Sequence, residues 1–333
     1  MNRLFIIACL VLMLVFPEII AQTKLLKLAD INIRDPFVLA DTTTKTYYLY
    51  SSITYTFDTS NLVKGVEVYI SKDLINWTEP KPVFIIPVDF WTHKYVWAPE
   101  VHKYKGKYYL FVTFTSADSL PTLQGRPHLE KRGSQILVSD SPTGPFKAFH
   151  NRSHTPSDWM ALDGTFFCED SQPYMIFCHE WMQVGNGTIE LAPLKSNLSD
   201  FSGKPRTLFK AGDAIWVREY HAKDKTGQKC QALVTDGPFL YRLESNKLIM
   251  IWSSFSSGNY SVGVAESLSQ SIKGPWIQKE KPLFMKDGGH AMIFKTFDNR
   301  LMLALHSPNN GPFERAHFLE LKVVKDEIQL VAK

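Results

Sequence analysis

An all-β chain built as a five-bladed β-propeller is what this sequence predicts, and three observations predict it. Apolar and aromatic runs of strand length recur along the chain, broken by turn residues. They group into five successive units of about four runs each, the pattern of a repeat architecture. Each unit opens on a polar or aromatic residue at a comparable interval: Asp35, Trp97, Asp163, Asp236 and His290 lie 62, 66, 73 and 54 residues apart. Four short strands per unit at such spacing make a propeller blade. The composition agrees, with 44% hydrophobic residues and 13% aromatics, which suit strands and stacking platforms.

The elements follow in order. Unit one holds strands near residues 35–39, 46–51, 66–70 and 77–84. Unit two holds them near 97–101, 107–113, 135–138 and 144–146. Unit three opens on the stretch 162–181, then continues at 188–192 and 207–209. That stretch reads as a hairpin with a polar turn at 169–173. It puts Asp163 and Glu180 at the open ends of two antiparallel strands. Two carboxylates there either terminate strands and cap turns or do acid–base work. Unit four is read near 235–239, 247–252, 261–264 and 274–276, and unit five near 288–294, 300–305, 318–323 and 327–331. The connections 87–95, 116–133 and 211–227 are long for a compact domain, which suits a rim around a site.

Several function classes are disfavoured. The formal charge is only +4, with no basic run to mark a nucleic-acid surface. No Cys-x-x-Cys pair or His-Glu-x-x-His motif marks a zinc site. The segment 1–21 reads as a secretory leader, with Asn2-Arg3 ahead of the apolar run 4–16 and Ala21 at the cleavage point. That run is too short for a good membrane span. Anchoring through Cys9 is disfavoured because little apolar sequence precedes it. The expectation is an exported protein, periplasmic or extracellular, whose residues 22–333 form one propeller domain and which acts as a monomer. Cys168 and Cys178 are not opposite one another in the hairpin register. With Cys230 they read as small buried hydrophobes rather than a disulfide.

In a propeller the first strand of each blade lines the central channel. Asp35, Trp97, Asp163, Asp236 and His290 therefore converge from five distant segments on one mouth. Each residue singly has a bland explanation, as a turn former, a core indole or a buried imidazole. The same position filled this way five times points to a site.

The blade starts read Arg34-Asp35-Pro36, Trp97-Ala98-Pro99-Glu100, Leu162-Asp163-Gly164, Thr235-Asp236-Gly237-Pro238 and Gly289-His290. In this order they resemble the glycoside hydrolases of family 43, and the resemblance covers nearly the whole of residues 22–333. It implies that Asp35 is the general base that activates water. It implies that Asp163 orients the acid and tunes its pKa. It also implies that His290 helps hold a hydrated calcium ion in the channel, the chemistry itself needing no cofactor. The family inverts configuration, so acid and base are expected about 6.5–9.5 Å apart.

The chain departs from the family where the acid stands. A Glu-Gly-Pro start is replaced by Asp236-Gly237-Pro238, one methylene shorter. Either Asp236 serves in a reshaped site, or Glu180 supplies the proton, or the acid is lost and the propeller only binds sugar. Of the first two, Glu180 is preferred on sequence. Trp97, Trp181, Trp91, Tyr95 and Trp216 are candidate sugar platforms, and His179 and His290 candidate substrate contacts. The expected function is an exported inverting hydrolase of pentose-containing plant-type glycans. An α-L-arabinofuranosidase comes first, then a β-xylosidase or xylanase, then a galactan-directed enzyme. A non-catalytic carbohydrate-binding propeller is the rival from another class.

Overall fold

The structure, a computed structural model, describes residues 24–53, 63–121, 129–223 and 229–332. The leader read at 1–21 and the side chain of Cys230 lie outside the described residues. Five four-stranded antiparallel sheets follow one another along the chain. Their inner strands are Phe37–Asp41, Tyr95–Tyr104, Ala161–Glu169, Asp236–Arg242 and Gly289–Lys295. These five touch in a closed ring, each against the next and the fifth against the first. The protein is thus a five-bladed propeller, as its repeat predicts.

The strands form where apolar runs alternate with turn residues. In blade three, Ala161–Glu169 and Gln172–His179 pair across a tight turn. The turn residues Asp170 and Ser171 take left-handed φ of 49° and 64°. Cys178 faces Leu162 and Cys168 faces Pro173, so the two thiols are not cross-strand partners; both are free, and only Cys178 is fully buried.

Apolar side chains fill the wedges between neighbouring blades. Phe111 and Ile136 of blade two meet Met175 and Phe177 of blade three. Ile176 and Ile189 of blade three meet Leu248 and Met250 of blade four. Ile249 and Ile251 of blade four meet Ala291 and Ile293 of blade five. Each such side chain contributes about 1.5–3 kcal/mol on burial, and the wedges fix the blade angles that aim the inner strands. The ring closes without a shared strand. The Ile33 N–H donates to the Glu314 carbonyl at 3.2 Å and the Asn32 side chain to the Gly311 and Glu314 carbonyls.

Several outer elements differ from the sequence reading. The fourth strand of blade four is Trp276–Gln278. Within the connection read at 116–133, strand runs to Ser119 and resumes at Glu130. The fourth strand of blade one is Lys81–Ile85, while Trp77 is fully buried and bridges Leu26 and Ser71. The fourth strand of blade two is Lys147–Ala148, just after the residues expected. The connection read at 211–227 carries a small hairpin, Tyr220–Lys223 with Lys229–Ala232.

Candidate active site

The same backbone device recurs at every blade start. Asp35, Ala98, Asp163, Gly237 and His290 all take left-handed φ between 47° and 57°. On blades two, four and five the pairing register slips at that point, after Trp97, Asp236 and Gly289. On blade three it slips likewise after Leu162, where Leu162 to Thr165 spans only Cys178 to Ile176 on the facing strand. A bulge of this kind bends the strand and re-aims its side chain. For a non-glycine residue the left-handed conformation costs roughly 1–2 kcal/mol, so something must hold it. The preceding blade does. Thr113 Oγ1 accepts the Asp163 N–H and Ser253 Oγ the His290 N–H, each at 2.8 Å. His306 Nδ1 accepts the Asp35 N–H at 3.3 Å.

One side of the mouth gathers basic side chains around Asp35. Its Oδ1 lies 3.2 Å from His290 Nδ1, 3.3 Å from His306 Nδ1 and 3.6 Å from Arg34 Nε. Arg34 is held in turn by Glu314 Oε1 at 2.5 Å and Asn309 Oδ1 at 2.9 Å. Burial alone would raise the Asp35 carboxyl. His290, Arg34 and His306 outweigh it and hold that carboxyl well below the usual carboxylate range.

The other side holds Asp163 and Asp236, with no Lys or Arg within ion-pair distance of either among the described residues. Asp163 Oδ2 accepts the Gly237 N–H at 3.0 Å and lies 3.7 Å from His290 Nδ1. Burial, then the Asp35 charge, push the Asp163 carboxyl well up. Asp236 Oδ2 accepts the Tyr260 hydroxyl at 3.1 Å. Asp236 keeps some surface at the mouth, yet protein closes round its carboxyl. Burial, then the charge of Asp163, push it up to about 7 against His290 and Arg34. Asp163 and Asp236 titrate as a pair that retains a proton near neutral pH. Each carboxyl accepts one donor, the Gly237 N–H on Asp163 and the Tyr260 hydroxyl on Asp236, so the shared proton belongs to the pair.

Glu180 sits elsewhere in the wall. It is buried, and its Oε2 is in direct contact with the Arg132 guanidinium. Burial raises its carboxyl and Arg132 opposes that rise. Arg132 also donates from Nε to Thr115 Oγ1 at 2.9 Å and lies 4.3 Å over the Trp97 ring. Glu180 is thereby tied into a packed ion-pair network behind Trp97.

The aromatics expected as platforms divide. Trp97 stacks with Tyr95 at 5.6 Å, and the pair lines a cleft of about 420 Å³ that reaches Asp35 and Arg34. Trp181 meets Tyr220 edge-on at 5.9 Å, Tyr220 stacks on Phe255 at 4.4 Å, and Phe255 packs on Tyr260. Trp216 is core, packed on Trp252. Trp91 donates its Nε1–H to Gln135 and packs on Phe90 and Phe114. His179 stacks on Trp159 at 4.1 Å and bonds Gln183, so its ring is occupied by structure. Arg34, His306, Tyr260, Arg132, Tyr220 and Phe255 belong to the constellation although no role was read for them on sequence.

The calcium expectation finds no ligand set. Among the described residues no group of three or more His, Cys, Asp or Glu side chains is arranged to hold a metal ion. His290 turns Nδ1 towards two carboxylates, whereas calcium takes six to eight oxygens. No step below runs through calcium.

Comparisons with known proteins agree on one architecture. The family model described as glycosyl hydrolases family 43 matches residues 29–326. A solved endo-arabinase from Bacteroides thetaiotaomicron VPI-5482 is 39% identical, with a TM-score of 0.78, covering 90% of this chain and 97% of that one. An α-L-arabinofuranosidase from Lactobacillus brevis is 18% identical, with a TM-score of 0.69 over 90% of this chain and 93% of that one, and shares the fold. The extracellular endo-alpha-(1->5)-L-arabinanase 1 of Bacillus subtilis (strain 168) is 23% identical over 240 residues. That match covers 68% of this chain and 64% of the relative's length. No described helix is long and apolar enough to cross a membrane.

Proposed function

The chain belongs to the glycosyl hydrolases of family 43, and from that premise we propose that it is an endo-acting, inverting hydrolase of α-1,5-linked arabinan. Asp35 is the general base, Asp236 the general acid, and Asp163 the group that orients and tunes the acid. The observation that carries this reading is the charge asymmetry of the mouth. Asp35 faces His290, His306 and Arg34, which keep it ionised. Asp236 is buried beside Asp163, which suits a carboxyl that still holds its proton near pH 7. In a single displacement Asp35 takes a proton from water as that water attacks the anomeric carbon. Asp236 gives its proton to the departing glycosidic oxygen, so both sugar ends leave as hydroxyls. Asp163 grips the amide of Gly237, the residue next to Asp236, and thereby holds the acid's backbone.

Asp236 replaces Glu180 as the preferred donor. The Glu180 carboxyl is engaged by the buried guanidinium of Arg132, and giving up that partner to act on a substrate would leave Arg132 without its closest counter-charge. Endo action is supported by aromatic surfaces that flank both catalytic carboxyls. Tyr95 and Trp97 stand beside Asp35, and Tyr220 and Phe255 reach Asp236 through Tyr260. An exo-enzyme needs only one such surface. The names of the two arabinan-cleaving relatives support the substrate, and the apolar leader at 4–16 supports export. The proposal keeps the sugar of the first sequence expectation, arabinofuranose, and changes the mode from exo to endo.

Digestion of linear α-1,5-arabinan tests it. Early release of mixed oligosaccharides, with the new reducing ends inverted by NMR, is the expected result. Release of arabinose alone, or retention of configuration, would overturn it.

A further inference from the structure

Tyr260 occupies an unusual place between the two catalytic carboxyls. It lies near the start of the third strand of blade four, Asn259–Ser267, and pairs across to Phe255. It is 1% exposed. Its hydroxyl donates to Asp236 Oδ2 at 3.1 Å. Its ring stacks on His306 at 5.6 Å and 22°, and His306 accepts the backbone N–H of Asp35. Its other neighbours leave it little freedom. A Cβ on Gly289 would sit 2.4 Å from Tyr260 Cε1, so glycine there is what lets the ring lie against the inner strand of blade five. Packing alone would be served equally by phenylalanine. The hydroxyl is a buried polar group that needs a partner, and the partner here is the carboxyl read as proton donor.

We propose that Tyr260 is a positioning residue that sets the separation of acid and base, holding Asp236 by its hydroxyl and the Asp35 backbone through His306. The inference rests on Asp236 being the donor. Aspartate is short, and its carboxyl stands where the hydroxyl of a wedged ring holds it. A displacement of about 1 Å at a reacting group can cost about 10²-fold in rate. A rigid aromatic whose position is fixed by His306 and Gly289 is a direct way to prevent it.

The test uses Tyr260→Phe, alone and with Asp236→Glu. Tyr260→Phe keeps the ring and removes only the bond to Asp236. The kcat on linear arabinan is expected to fall ~10–100-fold with little change in KM. The alkaline limb of the pH–rate profile is expected to move to higher pH. A hydroxyl donating to a carboxylate favours its ionised form, so losing it raises the carboxyl's pKa. The charges facing Asp236 are Asp163, His290, Arg34 and Glu180, and none of them changes in this variant. Asp236→Glu alone pushes a longer side chain against the hydroxyl and is expected to lose about 10²-fold. Adding Tyr260→Phe frees that space, so the double variant is expected to be faster than Asp236→Glu. A double variant slower than Asp236→Glu, or an unmoved alkaline limb with a falling melting temperature, would show that Tyr260 only packs. Loss of the donor reading itself shows separately, as Asp236→Asn failing equally on natural and activated substrates.

Discussion

The two sides of the channel mouth carry the same functional group in opposite electrostatic settings. Around Asp35 stand Arg34, His290 and His306, all within 3.6 Å of one carboxyl oxygen. Around Asp236 stand Asp163 and the neutral hydroxyl of Tyr260. Both carboxyls are surrounded by protein, so burial does not separate them; the neighbouring charges do. One side stabilises the anion and the other the acid. Under the proposed roles, one channel holds a base and an acid because the basic side chains gather at one blade seam. Here that seam is blade five against blade one, the place where the ring closes and where Arg34, His306 and Glu314 all lie.

The comparison breaks most visibly at the base. Asp35→Asn keeps the shape and removes the proton acceptor. Turnover on arabinan is expected to fall about 10⁴-fold, the upper end for general-base removal. Affinity for arabino-oligosaccharides, read by calorimetry, is expected to persist. Near-normal turnover would remove Asp35 from the mechanism.

The next largest effect separates Asp236 from Glu180. A general acid matters most when the leaving group is poor. Asp236→Asn is therefore expected to lose roughly 10²–10³-fold on arabinan and much less on an aryl arabinofuranoside with an activated leaving group. Glu180→Gln leaves the buried Arg132 with Glu130, 3.6 Å away, as its carboxylate partner, so its expected effect is a stability loss of up to about 3–5 kcal/mol. Any rate loss should be similar on both substrates. Leaving-group dependence in Glu180→Gln instead would return the donor to that residue.

The pattern of these two sides was partly legible beforehand. The five blade starts were visible because the apolar runs repeat and because Asp35, Trp97, Asp163, Asp236 and His290 each interrupt that pattern at the same point. The hairpin 162–181 was visible for the same reason, and with it the placement of Asp163 and Glu180 at strand ends. What it could not show is the partner of Glu180. Arg132 comes from the third strand of blade two, 48 positions away in the chain. Nothing local links them. The residues that hold the blade starts did leave a signal. Thr113, Ser253 and His306 are each the first polar residue after the apolar run of a second strand, and each faces its own blade start or the residue before it in the register. Their contact with the next blade's backbone is a property of ring closure, which the repeat implies but does not dimension. Tyr260 had no signal of its own, since one tyrosine among many aromatics does not announce what its hydroxyl touches.

A smaller effect concerns the aromatic surface on the acid side. Tyr220 is exposed and stacked on Phe255, which continues to Tyr260. Tyr95, on the base side, is 45% exposed beside Trp97. If each ring receives a sugar, either alanine variant should lose roughly 3–10-fold in kcat/KM on long arabinan, since an aromatic contact is worth about 1 kcal/mol. Each should also shift the sizes of the first products in its own direction. Identical product patterns from Tyr95→Ala and Tyr220→Ala would mean that the two surfaces do not lie on opposite sides of the scissile bond.

The smallest effect is on stability, and it isolates the charge asymmetry from catalysis. The Asp236 carboxyl is raised to about 7 in the folded state, above the unfolded value of about 3.9. Between those values the folded state binds more protons than the unfolded one, so this group makes stability fall as pH rises through that window. Asp35 works the other way. Its depressed carboxyl contributes stability that is present above the unfolded value and lost as pH falls towards the folded one. Asp236→Asn removes the first contribution and leaves the second. The melting temperature of Asp236→Asn relative to wild type is expected to climb steadily between about pH 4 and pH 7 and to be level below it. The change corresponds to a few kcal/mol at most, at about 1.4 kcal/mol per pH unit. A difference that stays level across that window would mean that Asp236 ionises in the folded protein as it does in water. The acid side would then have no claim to its proton, and the contrast with Asp35 would rest on geometry alone.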